Sequence, residues 1–200
     1  MLISGLVISL LLSASGYQSR PCNDLAFKRL LKGYALNEYR GRYVNRAYEY
    51  SVVIPEGLTG HDGRGEANHA GFGIALGEPP ESYIFVRAEH NSLEYDTARE
   101  AAMQNIEYLQ ADGNRVESKA LSEWRLGTLN AVRLVVTYTC SESADRYVLS
   151  SMVALSPDKS FLYSLELCSR ADRYGTDQAV LDRIIESWKM LSISRQQLQK

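Results

Sequence analysis

The stretch from residue 129 to residue 168 contains three strand-like runs joined by two short polar turns, and it limits the chain to few folds. The turns, 141–146 and 156–160, carry Ser, Asp and Pro, which bond their own backbone or preset φ. The runs between them are rich in Val, Leu, Tyr and Thr, as strands are. This pattern predicts a three-stranded antiparallel meander.

Alternation assigns the side chains of the meander to two faces, since successive residues of a strand point to opposite sides. We expect one face to carry Leu134, Val136, Tyr138, Cys140, Tyr147, Leu149, Val153, Leu155, Phe161, Tyr163, Leu165 and Leu167. The opposite face, with Val135, Val148, Met152 and Leu162 among others, is too apolar to be wholly solvated. We therefore expect helices to cover both faces of the sheet.

Three amphipathic stretches predict helices. Residues 23–33 form the first, and Thr97 with Glu100 is a capping box that starts the second, which Gly113 ends. The last begins at Thr176 or Asp177 and carries an apolar stripe up to Trp188. Further strands are expected at 48–54, 71–76, 83–89 and 116–126. Because the strands are grouped rather than alternating with helices, the order indicates an α+β fold with an antiparallel sheet.

The apolar run 2–12, followed by small residues, predicts a signal peptide over residues 1–19 and a periplasmic or secreted protein. No Lys or Arg precedes the run, so an uncleaved anchor and a misplaced start codon are the alternatives. We expect an N-terminal helix and lead-in at 20–42, one domain at 43–191 and a polar tail at 192–200. No apolar segment long enough to span a membrane follows the run 2–12 in the sequence.

Charge and cysteine content narrow the class of protein further. With 22 basic and 24 acidic residues and a net charge of −2, the chain lacks the basic stripe that nucleic-acid binding requires. Of its three cysteines, Cys140 and Cys168 are expected on opposite faces of the meander and not bonded to each other. We expect them to pack as buried thiols, and the alternative is one disulfide that joins Cys22 to either of them.

The segments EYSVVIPEG, VRAEHN and LDRIIESWKML, in that order, resemble the PsbP-like fold, which is shared with the Ran-binding Mog family and the bacterial envelope protein DcrB. The resemblance covers roughly residues 43–191. It implies an α/β/α sandwich that serves as an accessory, assembly or binding module without an active site.

The motifs that resemble catalytic signatures lack the structural context that catalysis requires. The glycines of GHDGRG are followed by a strand and not by the helix that a phosphate cradle needs. Ser156 and Lys159 have the spacing of a serine acylase but lie in a hairpin turn. The sequence contains no G-x-S-x-G, H-E-x-x-H or C-x-x-C. These observations disfavour the common hydrolase and redox classes.

The segment 56–71 has five glycines and no apolar periodicity, so we predict a long flexible loop that forms the interaction site. The predicted partner-binding residues are His61, Asp62, Arg64, Glu66 and His69, with Tyr39 and Arg42 from the tyrosine- and arginine-rich lead-in. A divalent metal, the one cofactor considered, would be bound by His61, Glu66 and His69.

These observations lead to three hypotheses of function. The first is an exported, non-enzymatic accessory or binding module that acts on a protein or envelope partner. The second is a metal-dependent hydrolase that uses the histidines of the 56–71 loop. The third is an immunity or chaperone protein for a secreted effector.

Overall fold

The computed structural model describes residues 35–63, 71–77, 81–141 and 143–191. This part of the chain has two helices, α1 (Ala98–Ala111) and α2 (Tyr174–Ser187). Its strands are β1 (Ala35–Tyr39), β2 (Arg42–Asn45), β3 (Tyr50–Val53), β4 (Gly60–Gly63), β5 (Phe72–Leu76), β6 (Ser82–His90), β7 (Arg115–Leu126), β8 (Leu129–Thr139), β9 (Arg146–Leu155), β10 (Phe161–Arg170) and β11 (Lys189–Met190).

The described strands form two antiparallel sheets. The larger has eight strands in the order β1-β4-β5-β6-β10-β9-β8-β7, and the smaller has three in the order β11-β3-β2. The predicted meander is confirmed as β8, β9 and β10, which pair in sequence. The mostly antiparallel α+β architecture is therefore as expected.

One detail of the meander differs from the prediction. Leu155 pairs with Leu162, and Ala154 pairs with Tyr163, so Tyr163 lies on the face opposite to the one assigned. The cause is the β9–β10 turn, in which Ser156 N donates to Phe161 O and leaves four residues in the loop. Because side chains alternate, a shift of one residue in the turn moves a whole strand's side chains to the other face.

The buried apolar side chains form two clusters, and each helix belongs to one of them. Leu181, Ile184 and Ile185 of α2 pack with Tyr163, Leu165 and Leu167 of β10. Ala102, Ile106 and Leu109 of α1 pack in the other cluster, with Leu134 and Val136 of β8 and with Leu162 and Cys168 of β10. Alternate residues of β10 thus contribute to different clusters.

Helix α1 begins and ends where the sequence predicts. The Thr97 side chain accepts a hydrogen bond from Glu100 N, and Glu100 Oε2 accepts one from Asp96 N. Gly113 follows the helix at φ +78°, a conformation in which a side chain would be strained. Neither α1 nor α2, the two helices of the described ranges, has the length and hydropathy needed to cross a membrane.

Two expectations about loops are wrong. The tyrosine- and arginine-rich segment 34–50, for which we expected no strand before residue 48, contains β1 and β2, and the sheet begins at Ala35, before the predicted domain start at residue 43. Residues 60–63, assigned to a structureless loop, form β4 between β1 and β5. These three strands have only four or five residues each, so no run of hydrophobic alternation marks them. The predicted helix at 23–33, the signal peptide and the tail at 192–200 lie outside the described residues.

The cysteines are confirmed as not bonded to each other, because Cys140 is a free buried thiol while Cys168 is disulfide-bonded. The expectation that Cys168 remains a thiol is wrong. The reasoning from opposite faces is wrong as well, since both residues belong to the α1 cluster. They are separated along the sheet: the row of paired residues that contains Cys168 includes Leu149 and Val136, not Cys140. Cys22 lies outside the described residues.

Candidate functional site

Asp62, one of the predicted partner-binding residues, is 7% exposed and bonds within the fold. Its carboxylate accepts hydrogen bonds from Asn37 N at 3.2 Å and from the Tyr39 hydroxyl at 2.5 Å. Burial, followed by the bond to Asp62, raises the pKa of Tyr39, so the phenol keeps its proton and donates. These contacts attach β1 to β4, and they engage the carboxylate of Asp62 and the hydroxyl of Tyr39 in hydrogen bonds within the fold.

The other predicted residues are dispersed. His61 is half-buried on β4, whereas Arg42 is exposed on β2 of the smaller sheet, where its Nη2 donates to Ser51 Oγ at 3.3 Å. Arg64, Glu66 and His69 lie outside the described residues. Within the described ranges, no three His, Cys, Asp or Glu side chains are grouped so that they could hold a metal ion. The proposed ligand set of His61, Glu66 and His69 therefore stays a prediction.

The outer face of the smaller sheet carries an exposed surface, which we call the outer patch: Arg42, Val44, Val53 and Lys189. The strand register places these side chains together, because Arg42 pairs with Val53, and Ser51 pairs with both Val44 and Lys189. Val44 is 45% exposed and Val53 is 44% exposed. The patch thus presents two apolar side chains between an arginine and a lysine.

A shallow depression of about 460 Å³ adjoins the outer patch at Val53. Arg40, Pro55 and Leu58 are among its lining residues. Arg40 lies 3.9 Å from Glu38 in an exposed ion pair, which contributes little to stability and can exchange for another anion. The depression extends the apolar surface of the patch along the β3–β4 connection, and Arg40 and Glu56 give it one charge of each sign.

A second cavity, the helix cleft, has a volume of about 470 Å³ and lies between α1, the 91–97 loop and the sheet. Helix α1 contacts β7, β8 and β9. Residues of β6 and β10 form the floor beside it. The cleft is lined by Glu89, His90, Asn91, Ser92, Leu93, Tyr95, Ala101, Gln104, Asn105, Tyr108, Val153, Leu162, Ser164 and Glu166.

Two carboxylates in the helix cleft are held differently. Glu166 Oε1 accepts hydrogen bonds from Asn105 Nδ2 at 3.2 Å and from Ser151 Oγ at 3.4 Å, and Asn105 is only 6% exposed. Burial raises the pKa of Glu89 to about 7, the positive charge of Arg87 opposes this increase, and the negative charge of Glu166 adds to it. The cleft therefore contains a fixed carboxylate and a second one that titrates near neutral pH.

The rim of the helix cleft is preformed. Asn91 Oδ1 accepts from Tyr95 N at 3.0 Å, and Asn91 Nδ2 donates to Tyr95 O at 2.9 Å and to Lys159 O at 3.1 Å. The Lys159 ammonium lies 2.9 Å from Asp96 at the start of α1. Burial raises the pKa of Tyr95 to about 12, so its hydroxyl is neutral at physiological pH. These contacts fix the loop between β6 and α1.

Sequence reasoning missed the helix cleft, although it left a signal. Glu89 and Glu166 are the acidic residues of two largely buried strands, and Asn105 occupies the buried face of α1, between Ala102 and Leu109. Polar residues at positions that should be buried need a partner or a ligand. Reading those exceptions together would have indicated a polar cavity, but only the fold shows that the three residues meet.

No protein-family model matches the chain, and no characterised protein sequence is significantly similar to it. Solved structures are similar. The solution structure of cyanobacterial PsbP (CyanoP) from Synechocystis sp. PCC 6803 matches with a TM-score of 0.53 and 14% identity, over 74% of this chain and 91% of that one. The Saccharomyces cerevisiae Ran-binding protein Mog1p matches with a TM-score of 0.52 and 10% identity, over 78% and 97%.

A protein from Bacteroides thetaiotaomicron VPI-5482 matches with a TM-score of 0.51 and 9% identity. The match covers 79% of this chain but only 50% of the Bacteroides chain. At such identities the similarity establishes the fold alone. The resemblance read from the sequence is confirmed at that level.

Proposed function

We propose that this chain, which has the PsbP-like fold, is an exported, non-enzymatic accessory or binding module that binds an acidic protein segment through the outer patch. The observation that carries the proposal is the exposure of Val44 and Val53 at diagonal positions of adjacent strands on one sheet face, beside Arg42 and Lys189. Exposed apolar side chains rimmed by charge are typical of protein interfaces.

The chemistry of the patch defines the partner. Burial of the two valines supplies the apolar contact, and each valine is worth about 1.5 kcal/mol when fully buried. The two cations favour a partner with Asp or Glu beside an apolar residue, and they increase the rate of encounter more than the affinity. Mog1p, a neighbour in fold, is a Ran-binding protein, which supports a protein as the partner class without naming the partner of this chain.

Two further features support the proposal. We infer that α1 and α2 cover opposite faces of the eight-stranded sheet, because alternate residues of β10 pack in the α1 cluster and in the α2 cluster. This layering leaves the smaller sheet outside, with its own exposed face. Export to the periplasm or beyond is supported by the apolar run 2–12 and the small residues that follow it.

Site-specific photocrosslinking tests the proposal. A photoreactive phenylalanine analogue replaces Val44 or Val53 in the native host, and the control replaces Ser122, an exposed residue of β7 on the other sheet. We expect discrete crosslinked partners from positions 44 and 53 only. The double variant R42E/K189E should lose them while keeping its melting temperature. Equal crosslinking from position 122, or none from 44 and 53, would refute the assignment of the outer patch.

The hydrolase hypothesis and the immunity or chaperone hypothesis remain as alternatives to the proposal. The hydrolase hypothesis has no group of three metal-binding side chains in the described ranges to support it. The immunity or chaperone hypothesis is a special case of partner binding, in which the crosslinked partner is a secreted effector. Mass spectrometry of the crosslinked species therefore separates it from an envelope partner.

A further inference from the structure

We propose that the helix cleft binds a small organic cation, namely an aliphatic primary ammonium group on an apolar chain. This site is separate from the outer patch and does not depend on the proposed function. The ammonium group could belong to a free amine or to a lysine side chain, and the two sources share the chemistry that the cleft recognises. The cleft volume of about 470 Å³ is within the range of small-molecule sites.

Glu89 is the principal anchor. It lies on β6 opposite Leu162 of β10, and its carboxyl group lines the cleft. Within the described residues, no hydrogen bond or salt bridge engages this carboxyl group. A half-buried carboxylate without such a partner is costly, and a bound ammonium ion would supply the hydrogen bonds that it lacks and add to the positive charge of Arg87.

Glu166 contributes a second negative charge whose position is fixed. Asn105 and Ser151 both donate to its Oε1 atom, so the orientation of this carboxylate is set before any ligand arrives. The charge of Glu166 acts on Glu89, as the raised pKa of Glu89 records. A cation bound beside Glu89 would relieve this repulsion, whereas a neutral ligand would leave it in place.

The remaining lining suits the apolar part of such a ligand. Leu93, Leu162 and Val153 offer aliphatic contact, and Leu93 is 58% exposed at the rim. The rings of Tyr95 and Tyr108 also line the cleft, and aromatic faces attract ammonium groups. Because Asn91 already holds the rim, binding does not have to order the loop, and less of the interaction energy is lost to entropy.

The charged and titratable groups around Glu89 set the pH dependence. Arg87 lies on the same strand, Glu166 on β10 and Tyr95 in the rim loop, while Tyr48 senses the Glu89 charge from the turn after β2. His90 is the next residue and also lines the cleft. Since the charged form of Glu89 is the one that binds a cation, binding should strengthen as the pH rises from 6 to 8.

The test is titration of the full chain with hexylamine, followed by the amide signals of cleft residues in two-dimensional NMR spectra. Hexanol is the neutral control of the same shape, and Nα-acetyl-lysine methylamide represents a lysine side chain. We expect both ammonium compounds to bind at least about tenfold more tightly than hexanol, the ratio expected for one charge-assisted hydrogen bond. The tighter of the two identifies the source of the ammonium group.

Two variants locate the effect. E89Q should weaken hexylamine binding by about tenfold or more and abolish its pH dependence, and E166Q should weaken it less. E123Q, on the exposed edge strand β7, is the matched control and should bind as the unaltered chain does. Amide spectra of each variant verify the fold. Equal binding of hexanol and hexylamine, or unchanged binding by E89Q, would overturn the proposal.

Discussion

The ring of Tyr50 stacks on the ring of Trp188, with centroids 4.3 Å apart and planes inclined by 9°. Tyr50 lies on β3, and Trp188 is the residue that ends α2. The edge of the Tyr163 ring on β10 completes the contact, 5.3 Å from Trp188. The smaller sheet, the second helix and the larger sheet therefore meet at one aromatic cluster.

Replacing Trp188 with alanine should lower the free energy of unfolding by about 3–5 kcal/mol, because the side chain is 2% exposed and a cavity remains. W188F is the matched control: it keeps a stacked ring and loses no hydrogen bond, since Trp188 Nε1 has no partner in the described structure. Urea denaturation measures both. A W188A variant whose free energy of unfolding lies within about 1 kcal/mol of that of the unaltered chain would contradict the role of this cluster.

Replacing Tyr39 with phenylalanine should destabilise the β1–β4 pair. The change removes the hydrogen bond to Asp62 and leaves a buried carboxylate with fewer donors, at a cost of about 1–3 kcal/mol. Relative to the unaltered chain, Y39F should accelerate hydrogen exchange more at the amides of residues 60–63 than at those of β8. Uniform acceleration across both sheets would instead mean that Tyr39 stabilises the whole domain.

Glu89 should make stability depend on pH between its unfolded and folded pKa values. Its pKa rises from 4.5 to about 7 on folding, so the folded state binds more protons in this window. The contribution of Glu89 to stability is therefore fully present below pH 4.5 and is lost as the pH rises to about 7. With allowance for partial solvent screening we expect a loss of about 2 kcal/mol. E89Q should flatten this part of the stability profile, and an unchanged slope would disprove the shift.

Cys140 and Cys168 should differ in their reactivity toward a thiol reagent. Cys140 is free and buried, and Cys168 is disulfide-bonded. Of these two cysteines of the described residues, a thiol reagent should therefore modify neither in the native protein and only Cys140 after unfolding without reductant. Peptide mapping under non-reducing conditions should recover Cys168 only in a cross-linked peptide. Alkylation of Cys168 without prior reduction would contradict the bond.

Sequence patterns predicted the long elements and missed the short ones, for a physical reason. The α1 helix and the meander each carry many periodic apolar residues, so their own composition specifies them. Strands such as Gly60–Gly63 have no such pattern, and they form because β1 and β5 offer backbone partners on both sides. Their conformation is determined by pairing with other strands, and the local sequence pattern carries no information about that pairing.

The candidate sites divide in the same way. A cluster of arginines and tyrosines in the sequence led to the prediction that Arg42 is a binding residue; the strand register places Arg42 in the outer patch, and its binding role stays a prediction. The helix cleft was missed, since Glu89, Asn105 and Glu166 come from three separate elements. Only the pairing of β6 with β10, and the packing of α1 beside them, brings these residues together.

That pairing of β6 with β10 also sets the order in which the chain can fold. Strands β7 to β10 follow one another as hairpins with short loop closures, whereas β6 and β10 must meet across a long separation, 87 residues for the bonded pair Ser82 and Ser169. Local contacts form first, because closing a long loop costs chain entropy before the non-local contacts can compensate for it. We expect strands β7 to β10 to gain protection first in pulse-labelled hydrogen exchange, and the addition of β6 to be the slow step.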